Sequence, residues 1–204
     1  MAAVVSLTHL LQDRRLWRGQ PASMPASTEP TGHTLLDAAL HTGGWPEAAL
    51  IEVLHPADGV GELRLLLPTL ARLTQAGRDV ALISPPYVPY PTAWAAAGID
   101  FQHVQIIDAN ARQALWASEQ CLRSGCLSAV LCWPQQVDDR ALRRLQVAAE
   151  SGRALGFAFR DLRAARNPSP AVLRLQLEGE QISVLKCRGG LPPARPIPFP
   201  HSLH

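Results

Sequence analysis

Ile51-Glu-Val-Leu-His-Pro-Ala-Asp-Gly-Val-Gly-Glu-Leu-Arg-Leu65 reads as a strand, a glycine loop and the start of a helix. A loop of this build cradles phosphate when three things are present. These are backbone N–H groups at a helix N-terminus, a lysine on the β/γ-phosphates, and a Ser or Thr hydroxyl on magnesium. Here Glu62 and Leu63 stand where those side chains belong, and the chain's only lysine is the distant Lys186. A carboxylate aimed at a triphosphate repels it. The stretch therefore predicts the architecture of a nucleotide loop in degenerate form, carried by His55, Asp58, Gly59, Gly61 and Glu62. No cofactor, metal or catalytic residue is expected there.

Downstream, the pattern alternates between strands and helices. Strands are expected at 49–54, 79–84, 103–107, 127–132 and 154–159, and helices at 61–75, 91–97, 111–124 and 138–151. Repeated βα succession implies a mainly parallel sheet covered by helices on both faces. The style then changes. Residues 171–177 and 182–187 alternate around Glu178-Gly-Glu180, which is a hairpin signature and predicts an antiparallel addition at one sheet edge.

The two ends read differently. Residues 4–16 place Val4, Leu7, Leu11 and, on a neighbouring face, Leu10 at helical spacing, so residues 1–18 are expected to contain an amphipathic helix. Two roles fit that helix: a docking arm for a partner, or packing against its own domain. Residues 19–30 are rich in Pro, Ser and Ala and read as a linker. The core is expected over 31–188. The tail 189–204 is proline-rich and extended, with Ile197 and Phe199 as its candidate docking residues.

The 204 residues suit one compact domain with extensions, and 47% hydrophobic against 18% charged content favours a folded globule. The basic residues are eighteen arginines and one lysine, at a net charge of +2. Arginine usage of this kind reads first as the mark of a GC-rich genome, with a surface for carboxylates or phosphates as the alternative. Cys121, Cys126, Cys132 and Cys187 form no CxxC pair and no zinc-type spacing, so they read as reduced thiols. No signal-peptide pattern opens the chain, and no apolar run approaches the roughly 20 residues of a membrane span. A cytoplasmic protein is expected.

Ahead of the glycine loop stand Thr31-Gly32, Leu36-Asp37, Leu40, Gly43-Gly-Trp-Pro46 and Leu50-Ile-Glu-Val53. This ordered series resembles the lead-in to the RecA recombinase core. The resemblance extends over about residues 31–188, through Ala97-Gly-Ile-Asp100 and the closing hairpin. More closely, the chain resembles the ImuA family, a RecA-like and SulA-like group of accessory proteins for SOS-induced translesion DNA synthesis. The residues that carry this are Leu16-Trp-Arg-Gly19, Pro30-Thr-Gly32, Gly43-Gly-Trp-Pro46, Gly61-Glu-Leu-Arg-Leu-Leu-Leu-Pro68, Pro85-Pro-Tyr-Val-Pro-Tyr90, Ala95-Ala-Ala-Gly98, Arg143-Arg-Leu-Gln-Val-Ala-Ala-Glu150 and Leu185-Lys-Cys-Arg-Gly-Gly190. The resemblance implies work beside an inactive Y-family polymerase homologue (ImuB), an error-prone replicative-type polymerase and RecA. SulA, a cell-division inhibitor that binds a tubulin-like protein, is the alternative the same resemblance offers.

Set against RecA, the departures fall on the catalytic parts. Besides the loop, strand 127–132 runs into Trp133 where a magnesium-linked Asp would stand. Strand 79–84 runs into Pro85-Pro86 where RecA-like ATPases place the glutamate that activates water. Phosphoryl transfer needs metal, charge neutralisation and a positioned water together, so no ATPase is expected. Only Pro-Gln-Gln-Val separates Trp133 from the helix near Asp138, too short for RecA's first DNA-binding loop.

The remaining candidates are surfaces. Asp58, Glu62 and Arg64 read either as a polar remnant of a phosphate site or as the solvated start of a helix, and His55 as a hydrogen-bonded surface residue. Pro85-Pro-Tyr-Val-Pro-Tyr90 suits gripping a partner, stacking a base or capping the sheet. Leu7, Leu10, Leu11 and Trp17 are the partner-binding candidates of the N-terminal helix. Arg140, Arg143 and Arg144, together with Arg160, Arg163 and Arg166, are candidates for weak contact with nucleic-acid phosphates, or else solvated charged faces.

Overall fold

Strand β1 (Leu50–His55) is buried along its whole length, as expected of a strand covered on both faces, and it takes Glu52 and His55 inside with its apolar residues. Its neighbours are β5 (Leu155–Asp161) and β6 (Leu173–Glu178), both parallel to it. In the computed structural model, which describes residues 26–59, 61–135 and 137–199, the sheet is eight-stranded. The further strands are β2 (Val80–Ile83), β3 (Val104–Ile107), β4 (Ala129–Cys132), β7 (Gln181–Cys187) and β8 (Ile197–Pro198). The order is β3-β2-β4-β5-β1-β6-β7-β8, parallel through β6 and antiparallel for β7 and β8. The expected hairpin is thus present, and it extends the sheet beyond β1.

Alternation within the strands divides the core into two layers. Val80, Leu82, Leu131, Phe157 and Phe159 face one side, with α1 (Thr34–Ala39), α2 (Leu67–Gln75) and α3 (Pro91–Ala96). Ala81, Ile83, Val130, Cys132 and Ala158 face the other, against Leu122 of α4 (Ala111–Arg123) and Leu142 and Leu145 of α5 (Asp139–Gly152). Large side chains fill the first layer, while small ones on the second let α4 and α5 approach closely.

The residues of the lead-in series have packing roles. The Thr31 backbone N–H donates to Asp37 Oδ1 at 2.9 Å, and Trp45 donates its indole N–H to Thr69 Oγ1 at 2.8 Å while standing edge-on to Phe157. Gly32, at φ +85°, lies so close to Pro68 that a Cβ would overlap the ring.

Three expectations need correction. The helix expected over 61–75 is broken: Glu62–Leu65 is a 3-10 turn, and α2 begins only at Leu67. Pro68 lacks an N–H and is tolerated only in the first turn, so the α-helix starts where Pro68 occupies that turn. Residues 26–30 of the expected linker are pinned to the core. Glu29 pairs with Arg72 and Arg78 at 2.6 Å each, and its carbonyl accepts from the Trp45 N–H. The described part of the tail, 189–199, docks on its own sheet, where β8 pairs with β7 and the Phe199 N–H donates to the Glu180 carbonyl. The expected N-terminal helix, with Leu7, Leu10, Leu11 and Trp17, lies outside the described residues.

Candidate functional site

The carboxyl ends of β1, β2, β4 and β5 lie side by side, the usual place for a ligand in an open α/β sheet. After β1, the chain passes Gly59 at φ +80° and Gly61 at φ +94°, both in the left-handed region. The side chain of Glu62 folds back into this loop and is buried, with Oε1 accepting from the Gly59 N–H at 3.2 Å. A carboxylate of the chain itself thus takes a backbone donor of the kind a phosphate uses. Its second oxygen, Oε2, has no hydrogen-bond partner among the described residues. The expectation of a solvated Glu62 is overturned by the 3-10 turn, which points the residue inward.

His55 is also buried rather than on the surface, because it ends the fully covered strand β1. Its Nδ1 donates to the Ala57 carbonyl at 2.8 Å, and its Nε2 stands 3.7 Å from Asp58 Oδ1. Phe159 lies edge-on to His55 and stacks on Trp133, with ring centroids 4.8 Å apart and planes at 14°. The ends of β1, β4 and β5 are therefore joined by aromatic rings. No cluster of three or more His, Cys, Asp or Glu suited to a metal occurs among the described residues.

The candidate arginines divide into three kinds. Arg160 is buried and ion-paired with Glu52 of β1, so it is unavailable to phosphate. Arg174 of β6 holds the other Glu52 oxygen at 2.7 Å and donates to the carbonyls of Ala164 and Asn167. Arg163 is exposed and grips Asp161 with two bonds of 2.9 and 2.8 Å, and Arg166 is exposed nearby. Those bonds to Arg163 hold the Asp161 carboxyl down at about 2. Arg140, Arg143 and Arg144 face outward as expected. Arg143 stands 3.5 Å from Asp139, and Arg144 bonds Glu119 at 3.0 Å.

Ile197 and Phe199 are buried, contrary to their expected role as an exposed docking element. Phe199 meets His33 edge-on and carries the Arg64 guanidinium 4.3 Å above its ring. Burial lowers the Arg64 pKa, and this residue also donates to the Phe199 carbonyl. Both residues are used up in closing the domain.

Tyr87, Val88 and Tyr90 are exposed on the loop after β2. The residue after that strand is Ser84, a non-glycine residue at φ +47°, held by a reciprocal pair of bonds between its hydroxyl and the backbone of Ala109. Beside it a groove of about 890 Å³ opens between α4 and the ends of β2 and β4. Sequence reasoning passed over its rim residues, Arg112 and Trp116. The signal was present: Arg112, Trp116, Gln120 and Arg123 follow one helical stripe, and a tryptophan on a polar stripe is out of place.

A family model described as "Cell division inhibitor SulA" matches residues 50–156, from β1 into β5. The chain belongs to the SulA family. Among curated proteins, this SulA-family chain is 29% identical to "Protein RecA" of Streptomyces ambofaciens over 162 residues, 74% of this chain and 42% of that protein. It is 32% identical to "Protein RecA" of Rubrobacter xylanophilus over 114 residues, 55% of this chain and 33% of that protein. The chain therefore spans well under half the length of these curated relatives. Among solved structures, SulA from Pseudomonas aeruginosa is similar at 28% identity and a TM-score of 0.46, covering 54% of this chain and 97% of that one.

Proposed function

We propose that this SulA-family chain is a non-catalytic, RecA-like accessory protein of SOS-induced translesion DNA synthesis, acting by binding an ImuB-type polymerase homologue and RecA. The observation that carries the non-catalytic part is the Glu62 carboxylate seated on the Gly59 N–H. It meets an incoming phosphate with negative charge where the reaction needs positive charge. The aromatic stack of Trp133 on Phe159 supports the same reading, because it puts apolar rings at the strand ends where a metal would be held. The choice of partners rests on the ImuA-like motif series, with an error-prone replicative-type polymerase as a further member of the assembly. Work in the cytoplasm is part of the proposal, and no helix among the described residues is long and apolar enough to cross a membrane.

The match to the SulA model favours a second reading, a division inhibitor acting on a tubulin-like protein. One experiment separates the two. The purified full-length chain is tested for co-purification with RecA, the ImuB-type homologue and the tubulin-like division protein, with and without single-stranded DNA and ATP. Capture of RecA or the ImuB-type homologue is the expected result. Capture of the division protein alone, with filamentous cells on overexpression, replaces the first reading by the second. ATP turnover lost in Glu62→Ala overturns the non-catalytic part of both.

A further inference from the structure

The groove beside α4 has the features of a docking cleft. Its floor is apolar, built from Ile83, Leu115, Cys132 and Trp133. Its volume of about 890 Å³ is enough for two or three large side chains. On the rim, Trp116 is 63% exposed, an unusual position for a tryptophan on an otherwise polar helical stripe. Two cations also line it. Arg144 is tethered to Glu119, whereas Arg112 is exposed and has no ion-pair partner among the described residues. The buried indole N–H of Trp133 has no acceptor among the described residues.

We propose that this groove receives a segment of a partner protein in which a bulky apolar side chain stands beside a carboxylate. The apolar side chain fills the floor under Trp116, and the carboxylate pairs with Arg112. Aromatic and arginine residues around a desolvated pocket are the usual composition of an interface hot spot. A nucleic acid suits the groove less well. Glu119 and Asp139 stand against Arg144 and Arg143 and dilute the positive field that phosphates need. The inference rests on the protein-binding reading above and names the chemistry of one partner site.

The test uses a displayed library of random dodecapeptides, panned on the full-length chain without reference to any named partner. The expected result is enrichment of peptides with Phe, Leu or Trp next to Asp or Glu. Their affinity should fall about tenfold or more in Arg112→Glu, which reverses an exposed charge, and in Ala114→Trp, which fills the groove. Arg112→Glu lies on the surface and keeps the test valid if Ala114→Trp misfolds. Failure to enrich such peptides, or enrichment indifferent to both variants, overturns the proposal. So does groove-dependent, salt-sensitive binding of a fluorescein-labelled oligothymidylate without peptide binding. Partner capture that persists in both variants removes the groove while leaving the proposed function standing. Loss of all named partners alongside successful panning does the reverse.

Discussion

Glu62 Oε1 accepts the backbone N–H of Gly59 at 3.2 Å, while the buried Glu62 Oε2 has no partner among the described residues. A buried carboxylate with one oxygen unsatisfied is a local cost rather than a stabilising contact. Glu62→Gln keeps an acceptor for Gly59 and removes the charge. It is expected to leave stability unchanged or to raise it by about 1 kcal/mol in urea unfolding at neutral pH. Millimolar ATP should leave the unfolding midpoint of the native chain where it is, since a ligand bound to the folded state would raise it. A midpoint that rises with ATP would contradict the account of the loop.

Glu52 lies between Arg160 and Arg174 at the centre of the sheet, with all three residues buried. Glu52→Gln leaves two buried guanidinium groups without their countercharge. The expected loss is about 3–5 kcal/mol by chemical denaturation. Replacing Arg160 by Met in the same chain should recover part of it, since one of the stranded charges is then gone.

Phe199 closes the far edge of the sheet under Arg64 and against His33. Phe199→Ala removes a buried ring, and a loss of about 3 kcal/mol is expected from its burial. The change should appear in thermal unfolding of the isolated chain, with no partner present. An unaltered midpoint would return Phe199 to the role of a docking residue.

Asp161 titrates at about 2 in the folded chain against an ordinary 3.8, because Arg163 donates to both its oxygens and through its own backbone N–H. The folded value lies below the unfolded one. The contribution is therefore complete above 3.8 and is lost as pH falls from there toward 2. In Arg163→Ala the Asp161 midpoint, followed by carboxyl NMR titration, should rise toward 3.8, and the dependence of stability on acid should weaken in that window. Both side chains face solvent, so concentrated salt should shrink the difference.

Strand positions were legible because burial on both faces leaves its mark in the chain itself: Val80-Ala-Leu-Ile83 and Ala129-Val-Leu-Cys132 carry no polar residue to betray a wet side. The lead-in series was legible for a similar reason, since Gly32, Asp37 and Trp45 each satisfy a contact that few other residues can make. What could not be read were outcomes set by distant partners. Arg160 looks like any surface arginine until the register sets it opposite Leu54, two residues along β1 from Glu52, within ion-pair reach of that carboxylate, a relation that no local window contains. Ile197 and Phe199 look like a free proline-rich tail until β7 offers an edge for β8. The 3-10 turn that buries Glu62 stands ahead of Pro68, whose missing N–H sets the start of the α-helix at Leu67.

The placing of β1 has a consequence for how the chain comes into being. Ile51 is made early, yet its neighbours across the ladder are Phe157 and Leu173, and the strand has no other partner on either side. On a translating ribosome, this fully buried and mostly apolar strand must wait unpaired until most of the molecule has emerged. Folding is then governed by closure of these long-range pairs, which makes it slow and leaves Leu50–His55 the segment most in need of protection from aggregation while synthesis is under way.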